Sequence, residues 1–258
     1  MIKNRINKLF QGDKKDILSV YFTAGYPKLN DTVPIIQGLE KHGVDLIEIG
    51  IPFSDPVADG PVIQGSSHIA LQNGISVKRI FEQLKDIRKS VNIPLILMGY
   101  LNPVISYGIE PFCKKCNEIG IDGMILPDLP LNEYNRSFKS FFEKYNLHNI
   151  LLITPETSEK RLHEIDDAST GFIYMVSTSS TTGAKKNVSD YSTEYFQRIN
   201  DMNLKNKRLI GFGISNHKTF DNACKYAQGA IIGSAFVKAV SQEGTLDEKI
   251  EKFVKSIK

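Results

Sequence analysis

The sequence has no tryptophan and only three cysteines among its 258 residues. Cys113 and Cys116 form one CxxC pair and Cys224 stands alone, with no second CxxC and no HxxxH segment to complete a ligand set. A structural zinc site is therefore not predicted. We interpret all three as reduced structural thiols, the CxxC pair lying on a helix surface. An odd number of cysteines without a signal sequence predicts a cytoplasmic protein.

Long apolar runs and dense basic tracts are also missing. The longest apolar runs have the length of strands, so no membrane span is predicted. Residues 1–16 lack the apolar stretch of a signal peptide, and the spacing of Ile2, Ile6, Leu9 and Phe10 predicts a short amphipathic helix instead. The formal net charge is only +3, which argues against nucleic acid as a partner.

Short β-rich runs alternate with amphipathic helical segments along the whole chain. This alternation predicts a parallel sheet covered by helices, and about eight units in this length indicate an α/β (β/α)8 TIM barrel with a short extra N-terminal helix. No linker divides the chain, so one catalytic domain is expected over residues 1–258. An open doubly wound sheet is the alternative. The candidate strands are residues 17–23, 44–50, 93–100, 121–127, 149–154, 171–177, 207–213 and 229–233.

Acidic residues stand at the end of the second candidate strand and in the loop that follows it. Side chains alternate along a strand, so Ile47 and Ile49 share one face while Leu46 and Glu48 share the other. An inward Glu48 must find partners or hold a proton, because an unpaired buried carboxylate is costly. Asp59 lies in the proline-rich loop beyond. The two carboxylates either divide acid and base roles at one cavity, or serve as a structural glutamate and a turn cap.

The last two candidate strands end in glycine-rich turns, GFGIS (211–215) and IIGSAFVK (231–238). The third glycine of a dinucleotide fingerprint is missing. In a barrel, however, the loops after strands 7 and 8 commonly form a phosphate cradle. Gly213, Gly233 and Ser234 would let backbone N–H groups approach an anion near a helix start, unless these glycines only permit tight turns. The polar segment 177–192 is expected to be either a mobile lid or a surface loop.

Two kinds of aldolase chemistry lack their side chains in this sequence. No lysine ends an inward-facing strand, so a Schiff-base mechanism is not predicted. The five histidines show no HxH or HxxxH spacing and are interpreted as surface or helix residues, which argues against a metal aldolase. Of the mechanisms considered, acid–base catalysis by carboxylates on a phosphorylated substrate is the one that the sequence still allows.

Several segments together resemble the tryptophan synthase alpha chain family, and the resemblance runs from about residue 2 to the end. The segments are IEIGIPFSDPVADGPVIQ (47–64), YFTAGYP (21–27), LMGYLNPV (97–104), DGMILPDLP (122–130), YMVSTSSTTG (174–183), GFGIS and GAIIGSA (229–235). The resemblance implies a barrel lyase that cleaves indole-3-glycerol phosphate to indole and D-glyceraldehyde 3-phosphate by a retro-aldol reaction. Position by position, it implies that Glu48 and Asp59 are the two catalytic carboxylates and that Phe22 belongs to the ring pocket. Tyr174, Thr182 and Gly183 match residues that line the site and its lid. The phosphate cradle matches Phe212, Gly213, Gly233 and Ser234.

The resemblance further implies a partner. Members of the family work in an alpha2-beta2 heterotetramer with a beta chain that carries pyridoxal phosphate and receives indole for L-tryptophan synthesis, so no cofactor is expected on this chain. The sequence departs from the common pattern at Tyr26, where many members have aspartate, and in the lid segment TSSTTG (178–183). Two alternatives are another phosphate-binding barrel enzyme of tryptophan biosynthesis and a non-catalytic activator of the beta chain.

Overall fold

The parallel strands surround a common axis in the computed structural model, which describes residues 2–177 and 188–258, without the side chains of 188–192. All pairings between adjacent strands in the described residues are parallel. The strands are β1 (Ile17–Thr23), β2 (Leu46–Gly50), β3 (Leu95–Met98), β4 (Gly123–Ile125), β5 (His148–Asn149), β6 (Leu151–Ile153), β7 (Phe172–Val176), β8 (Lys207–Gly211) and β9 (Gly229–Ile232).

The order of the strands closes the sheet into a barrel. It runs β5-β4-β3-β2-β1-β9-β8-β7-β6, and β5 and β6 at its two ends are consecutive pieces of one extended segment, interrupted at Ile150. The eight strand positions of the predicted (β/α)8 barrel are therefore confirmed, with the fifth strand split in two. The open doubly wound alternative is wrong, because the strands follow one another around the ring without a reversal of order.

Helices cover the outside of the barrel, as the alternating pattern predicts. A π-helical turn, Tyr134–Phe138, joins two of them, and 3-10 turns lie at Leu29–Asp31 and Ile87–Lys89. The described α-helices are α1 (Arg5–Leu9), α2 (Thr32–Lys41), α3 (Pro61–Gln72), α4 (Val77–Leu84), α5 (Leu101–Tyr107), α6 (Ile109–Ile119), α7 (Leu131–Glu133), α8 (Lys139–Lys144), α9 (Glu159–Ala168), α10 (Val188–Asp201), α11 (His217–Cys224), α12 (Ser234–Val240) and α13 (Leu246–Lys255).

The short N-terminal helix α1 closes the amino end of the barrel. Asn4 caps it, since its side chain accepts a hydrogen bond from the Ile6 N–H. Ile6, Leu9 and Phe10 belong to the same buried cluster as inward residues of the barrel, and the rings of Phe10 and Phe172 lie 5.4 Å apart. Apolar side chains thus fill the barrel axis at this end, and a site inside the barrel is expected at the carboxyl end.

Two interpretations of single residues are wrong. Cys113 and Cys116 lie on the buried face of α6 rather than on its surface, and burial raises the pKa of the Cys113 thiol to about 12. His148 is a buried strand residue rather than a surface or helix residue, and burial lowers its pKa to about 4. The periodic patterns locate helices and strands but do not decide which small or amphipathic side chains face inward.

Candidate active site

A cavity of about 250 Å³ opens at the carboxyl ends of the strands. Its walls come from strand ends and the loops that follow them, where side chains from many different strands converge in this fold. It is lined by Tyr21, Glu48, Asp59, Gly60, Ile63, Met98, Tyr174, Phe212, Gly213, Ile214, Ile231, Gly233 and Ser234. The cavity thus brings together seven of the ten residues to which the sequence assigns a site role. Thr182 and Gly183 lie outside the described residues.

Glu48 projects into the barrel from β2 and is fully buried. The Ser19 hydroxyl on the neighbouring strand donates a hydrogen bond of 3.0 Å to Glu48 Oε1, whereas Oε2 has no hydrogen-bond partner in the described structure. Burial raises the pKa of Glu48 to about 8, and the Ser19 hydrogen bond opposes that rise only in part. Glu48 therefore holds a proton that it can give up and recover near neutral pH.

Asp59 is held over the cavity by a braced loop rather than by a strand. The Tyr100 hydroxyl donates a hydrogen bond of 3.3 Å to Asp59 Oδ2 and accepts one of 3.0 Å from the Ala58 N–H. The Gln64 amide, one turn into α3, donates to the Asp59 carbonyl at 2.8 Å. Tyr100 itself stacks on Phe53, with ring centroids 5.0 Å apart. Burial raises the pKa of Asp59, and the Tyr100 hydrogen bond counteracts that effect.

Phe22, which the resemblance assigns to the ring pocket, does not line the cavity, whereas the adjacent residue Tyr21 does. In the pairing of β1 with β2, Tyr21 lies opposite Glu48, and residues directly opposite each other in a sheet point to the same face. Tyr21 thus faces the cavity, while Phe22 faces outward and packs in the cluster between barrel and helices. The shift of one residue exchanges the two faces, and the register of β1 against β2 identifies Tyr21 as the inward residue.

A second, mainly apolar cavity of about 170 Å³ adjoins the first. Tyr21, Asp59, Met98 and Phe212 border both spaces. The walls of the second cavity are Tyr21, Ile51, Phe53, Ala58, Asp59, Ser67, Met98, Gly99, Tyr100, Pro127, Leu152 and Phe212. A flat aromatic ring suits this space, because its lining is apolar and aromatic apart from a few polar groups at one side.

Tyr174 forms the opposite wall from β7, and glycine makes room for it. A Cβ on Gly211 would lie 2.2 Å from the Tyr174 hydroxyl oxygen, so only glycine fits at that position of β8. The Tyr174 ring meets Phe212 edge to face, with centroids 6.2 Å apart. Burial raises the pKa of Tyr174 far above its ordinary value, so its hydroxyl stays protonated.

The glycine turns lie at the far side of the same cavity. Phe212 and Gly213 both have positive φ, +67° and +74°, and the Ser177 hydroxyl donates a hydrogen bond of 2.6 Å to the Phe212 carbonyl. Gly233 directly precedes α12, whose first residue is Ser234. Exposed backbone N–H groups at glycine turns and at a helix start attract anions. The geometry therefore suits a phosphate group opposite the two carboxylates.

The sequence of this chain matches the family model described as tryptophan synthase alpha chain over residues 8–257. The chain belongs to the tryptophan synthase alpha chain family. Among curated alpha chains it is 59% identical to that of Flavobacterium johnsoniae, covering 99% of this chain and 100% of the relative. It is 54% identical to that of Bacteroides thetaiotaomicron, over 99% and 100% of the two chains.

Solved structures agree with this membership. The chain superimposes on tryptophan synthase subunit alpha from Legionella pneumophila with a TM-score of 0.89 and 32% identity, covering 99% of this chain and 97% of that one. A chain of the tryptophan synthase complex from Pyrococcus furiosus gives a TM-score of 0.85 at 32% identity, over 95% and 98%.

Membership in the tryptophan synthase alpha chain family fixes the enzyme class. An alpha chain is a lyase that acts on indole-3-glycerol phosphate, has no cofactor of its own and partners a beta chain that carries pyridoxal phosphate. The described residues contain no cluster of three or more metal-ligating side chains, and none of their helices is long and apolar enough to cross a membrane.

Sequence reasoning missed three polar residues of this site: Ser19, Tyr21 and Tyr100. Ser19 and Tyr21, with Thr23, are the polar members of the otherwise apolar run ILSVYFT, and the first two are inward-facing partners of β2. Because they are two positions apart in a strand, they share one face, and this alternation of polar residues was a usable signal in the sequence. Tyr100 gave none, because its contact with Asp59 depends on how two separate loops meet.

Proposed function

We propose that Glu48 is the proton shuttle and Asp59 the ring-nitrogen acceptor in the cleavage of indole-3-glycerol phosphate by this chain. The observation that supports the proposal is a fully buried glutamic acid with a pKa of about 8 at a cavity that Asp59 and the glycine turns also line. A group that titrates near working pH serves as both acid and base in one reaction. The cleavage needs both, since no metal or Schiff base delocalises the electrons.

In the first step, Glu48 gives its proton to C3 of the indole ring. The ring becomes a cation whose positive charge is shared with its nitrogen, and Asp59 accepts a hydrogen bond from that N–H. A fixed carboxylate in a water-poor cavity stabilises such a charge far better than bulk water does. The Asp59 loop is suited to this task, because Tyr100 and Gln64 hold it from both sides.

In the second step, the Glu48 carboxylate takes the proton of the hydroxyl on the glycerol carbon attached to C3. That carbon becomes the aldehyde of glyceraldehyde 3-phosphate, and the electrons of the broken C–C bond return to the ring to give indole. Glu48 ends the cycle protonated, as it began. Every proton is accounted for by this one carboxyl, while Asp59 keeps the ring N–H hydrogen-bonded throughout.

The remaining residues position the substrate. Phe212, Gly213, Gly233 and Ser234 are proposed to hold the phosphate through backbone N–H groups, and Tyr21 and Tyr174 to enclose the ring and the glycerol chain. Thr182 and Gly183 are proposed to belong to a lid that excludes water; their roles derive from the resemblance in the sequence.

The wider setting is part of the same proposal. We place the chain in an alpha2-beta2 heterotetramer, treat residues 1–258 as a single catalytic domain, and place the protein in the cytoplasm. Three free cysteines, two of them buried, are consistent with a reducing compartment. Size-exclusion chromatography with the beta chain and fractionation of cells test these assignments.

Glu48→Gln is the decisive variant for the proposed shuttle. It keeps the shape of the side chain and removes the transferable proton, so kcat for indole release should fall by roughly 10²–10⁴. Binding of a phosphate-bearing product should remain, because the glycine turns are untouched. Turnover within a factor of a few of the unmodified enzyme would rule the shuttle out.

Asp59→Asn separates the catalytic role from a turn cap. The variant should lose most activity and keep its circular dichroism spectrum, since two of the hydrogen bonds that brace the loop do not use the carboxylate: Gln64 donates to the Asp59 carbonyl, and the Ala58 N–H donates to the Tyr100 hydroxyl. An unfolded variant would favour the turn cap. Indole release by the isolated chain, without a beta chain, separates an enzyme from a mere activator of its partner.

A further inference from the structure

Ser19 is an unusual residue for its position in the barrel. It lies in the middle of β1, is fully buried, and is flanked by Leu18 and Val20 of the outer core. A buried hydroxyl is costly unless it is hydrogen-bonded. Its bond to Glu48 Oε1, at 3.0 Å, supplies this partner across two adjacent strands.

We propose that Ser19 is a positioning residue that fixes the rotamer of Glu48 and assigns the transferable proton to Oε2. The inference rests on the proposed role of Glu48 and adds to it which of the two carboxyl oxygens reacts, and why. It concerns a residue that does not itself touch the reacting atoms.

The first argument comes from the two oxygens of Glu48. Oε1 accepts the hydrogen bond from Ser19, whereas Oε2 is buried without any partner in the described structure. An oxygen that accepts a strong hydrogen bond is the poorer site for a proton, so the neutral acid carries its proton on Oε2. Among the described residues that proton has no acceptor, and a substrate atom in the cavity that Glu48 lines is the acceptor we assign to it.

The second argument comes from the register of β1 and β2. Ser19 lies opposite Leu46, one inward level below the Tyr21–Glu48 pair. The hydrogen bond therefore pulls one edge of the carboxyl toward the barrel interior and leaves the other edge free. Without this tether, the side chain of a glutamate has several rotamers to sample, and a misplacement of about 1 Å costs up to roughly 10²-fold in rate.

The third argument concerns the groups that face Glu48. Tyr21 from β1, Tyr174 from β7 and Asp59 from the loop interact electrostatically with it or with each other. Both tyrosines stay neutral, because burial raises the pKa of each well above its ordinary value. Burial raises the pKa of Glu48 itself, and the Ser19 hydroxyl is the hydrogen-bond donor that opposes this rise. Removing that donor raises the pKa further.

The test is the pH dependence of kcat for indole release by Ser19→Ala. Because the reaction begins with protonated Glu48, the rate falls on the basic side as Glu48 ionises. Loss of a hydrogen bond to the charged form of Glu48 should shift the basic limb of the pH–rate profile to higher pH by about one to two units. At its own pH optimum the variant should have a kcat about tenfold lower with little change in KM, because the glycine turns proposed to bind the phosphate are unchanged.

Two further variants make the result specific. Ser19→Thr keeps the hydroxyl and should restore the position of the basic limb. Ser169→Ala is the matched control, since Ser169 is also buried and donates a 2.9 Å hydrogen bond to the Phe172 carbonyl at the amino end of the barrel. It should lower stability without moving the pH profile. Ser19→Cys, nearly isosteric and a weak donor, replaces the alanine variant if that protein does not fold.

The outcomes separate this inference from the proposed function. An unshifted basic limb in both Ser19→Ala and Ser19→Cys would overturn the role of Ser19, provided that Glu48→Gln is inactive. An active Glu48→Gln would instead overturn the shuttle itself. A loss of stability with an unchanged pH profile in Ser19→Ala would make the residue purely structural and would equally refute the inference.

Discussion

Gly50 provides a sharp test of how the wall of the cavity is built. It ends β2, and a Cβ added there would lie 2.2 Å from the Tyr21 hydroxyl oxygen and 2.5 Å from the adjacent ring carbon. Real Cβ atoms do not approach other atoms this closely, so either the strand or the Tyr21 ring must move. The two cavities that Tyr21 borders give its ring room to move.

Gly50→Ala is therefore expected to affect stability and activity together. Overpacking of a core position costs about 1–3 kcal/mol of unfolding free energy. Displacing Tyr21 into the cavity should also lower kcat/KM for indole-3-glycerol phosphate by about tenfold or more. Urea unfolding followed by circular dichroism measures the first effect, and initial rates of indole release measure the second.

Gly65 is the matched control, because it is an exposed position within α3 where an added Cβ meets no atom within 4 Å. Gly65→Ala should stabilise the chain by about 0.5–1 kcal/mol, since glycine is unfavourable inside a helix. The double variant Tyr21→Ala/Gly50→Ala should show strong coupling, because the clash partner is gone. A Gly50→Ala protein as stable and as active as the unmodified chain would refute the account of this wall.

Two further predictions concern charge in the core. Since burial raises the pKa of Glu48 from 4.5 to about 8, the folded state binds more protons than the unfolded state in this window, and stability must fall as pH rises through it. Glu48→Gln should match the unmodified chain in unfolding free energy near pH 5 and exceed it at pH 9, by on the order of 4 kcal/mol; equal stabilities at pH 9 would contradict the raised pKa. Asp122, buried at the amino end of β4, pairs with Arg88 at 2.6 Å and Arg5 at 3.1 Å and accepts from the Leu95 N–H. Asp122→Ala should lower the free energy of unfolding in urea by about 3–5 kcal/mol, because it leaves these donors without an acceptor. A loss below about 1 kcal/mol would show that the pairs contribute little.

The alternation of strands and helices was readable in the sequence, because it follows from local periodicity. Residues 17–23 form β1 with the predicted bounds, and the other observed strands lie within the predicted runs or extend at most one residue beyond them. The fifth strand breaks at Ile150, a detail of pairing that its apolar pattern does not encode. The inward direction of Glu48 was also readable, since alternation about Ile47 and Ile49 leaves it no other face.

The hydrogen-bond partners of the two proposed catalytic carboxyls, Glu48 and Asp59, were decided by tertiary structure. Ser19 and Glu48 are 29 residues apart and Asp59 and Tyr100 are 41 apart, so their hydrogen bonds depend on strand register and on the meeting of two loops. The same holds for Tyr21, whose facing residue is known only once β1 is aligned with β2. Local sequence determined the elements and the acidic residues of this protein, because periodicity and turn chemistry act over a few residues. The fold decided their burial and pKa, because desolvation depends on atoms that the chain brings together from far apart.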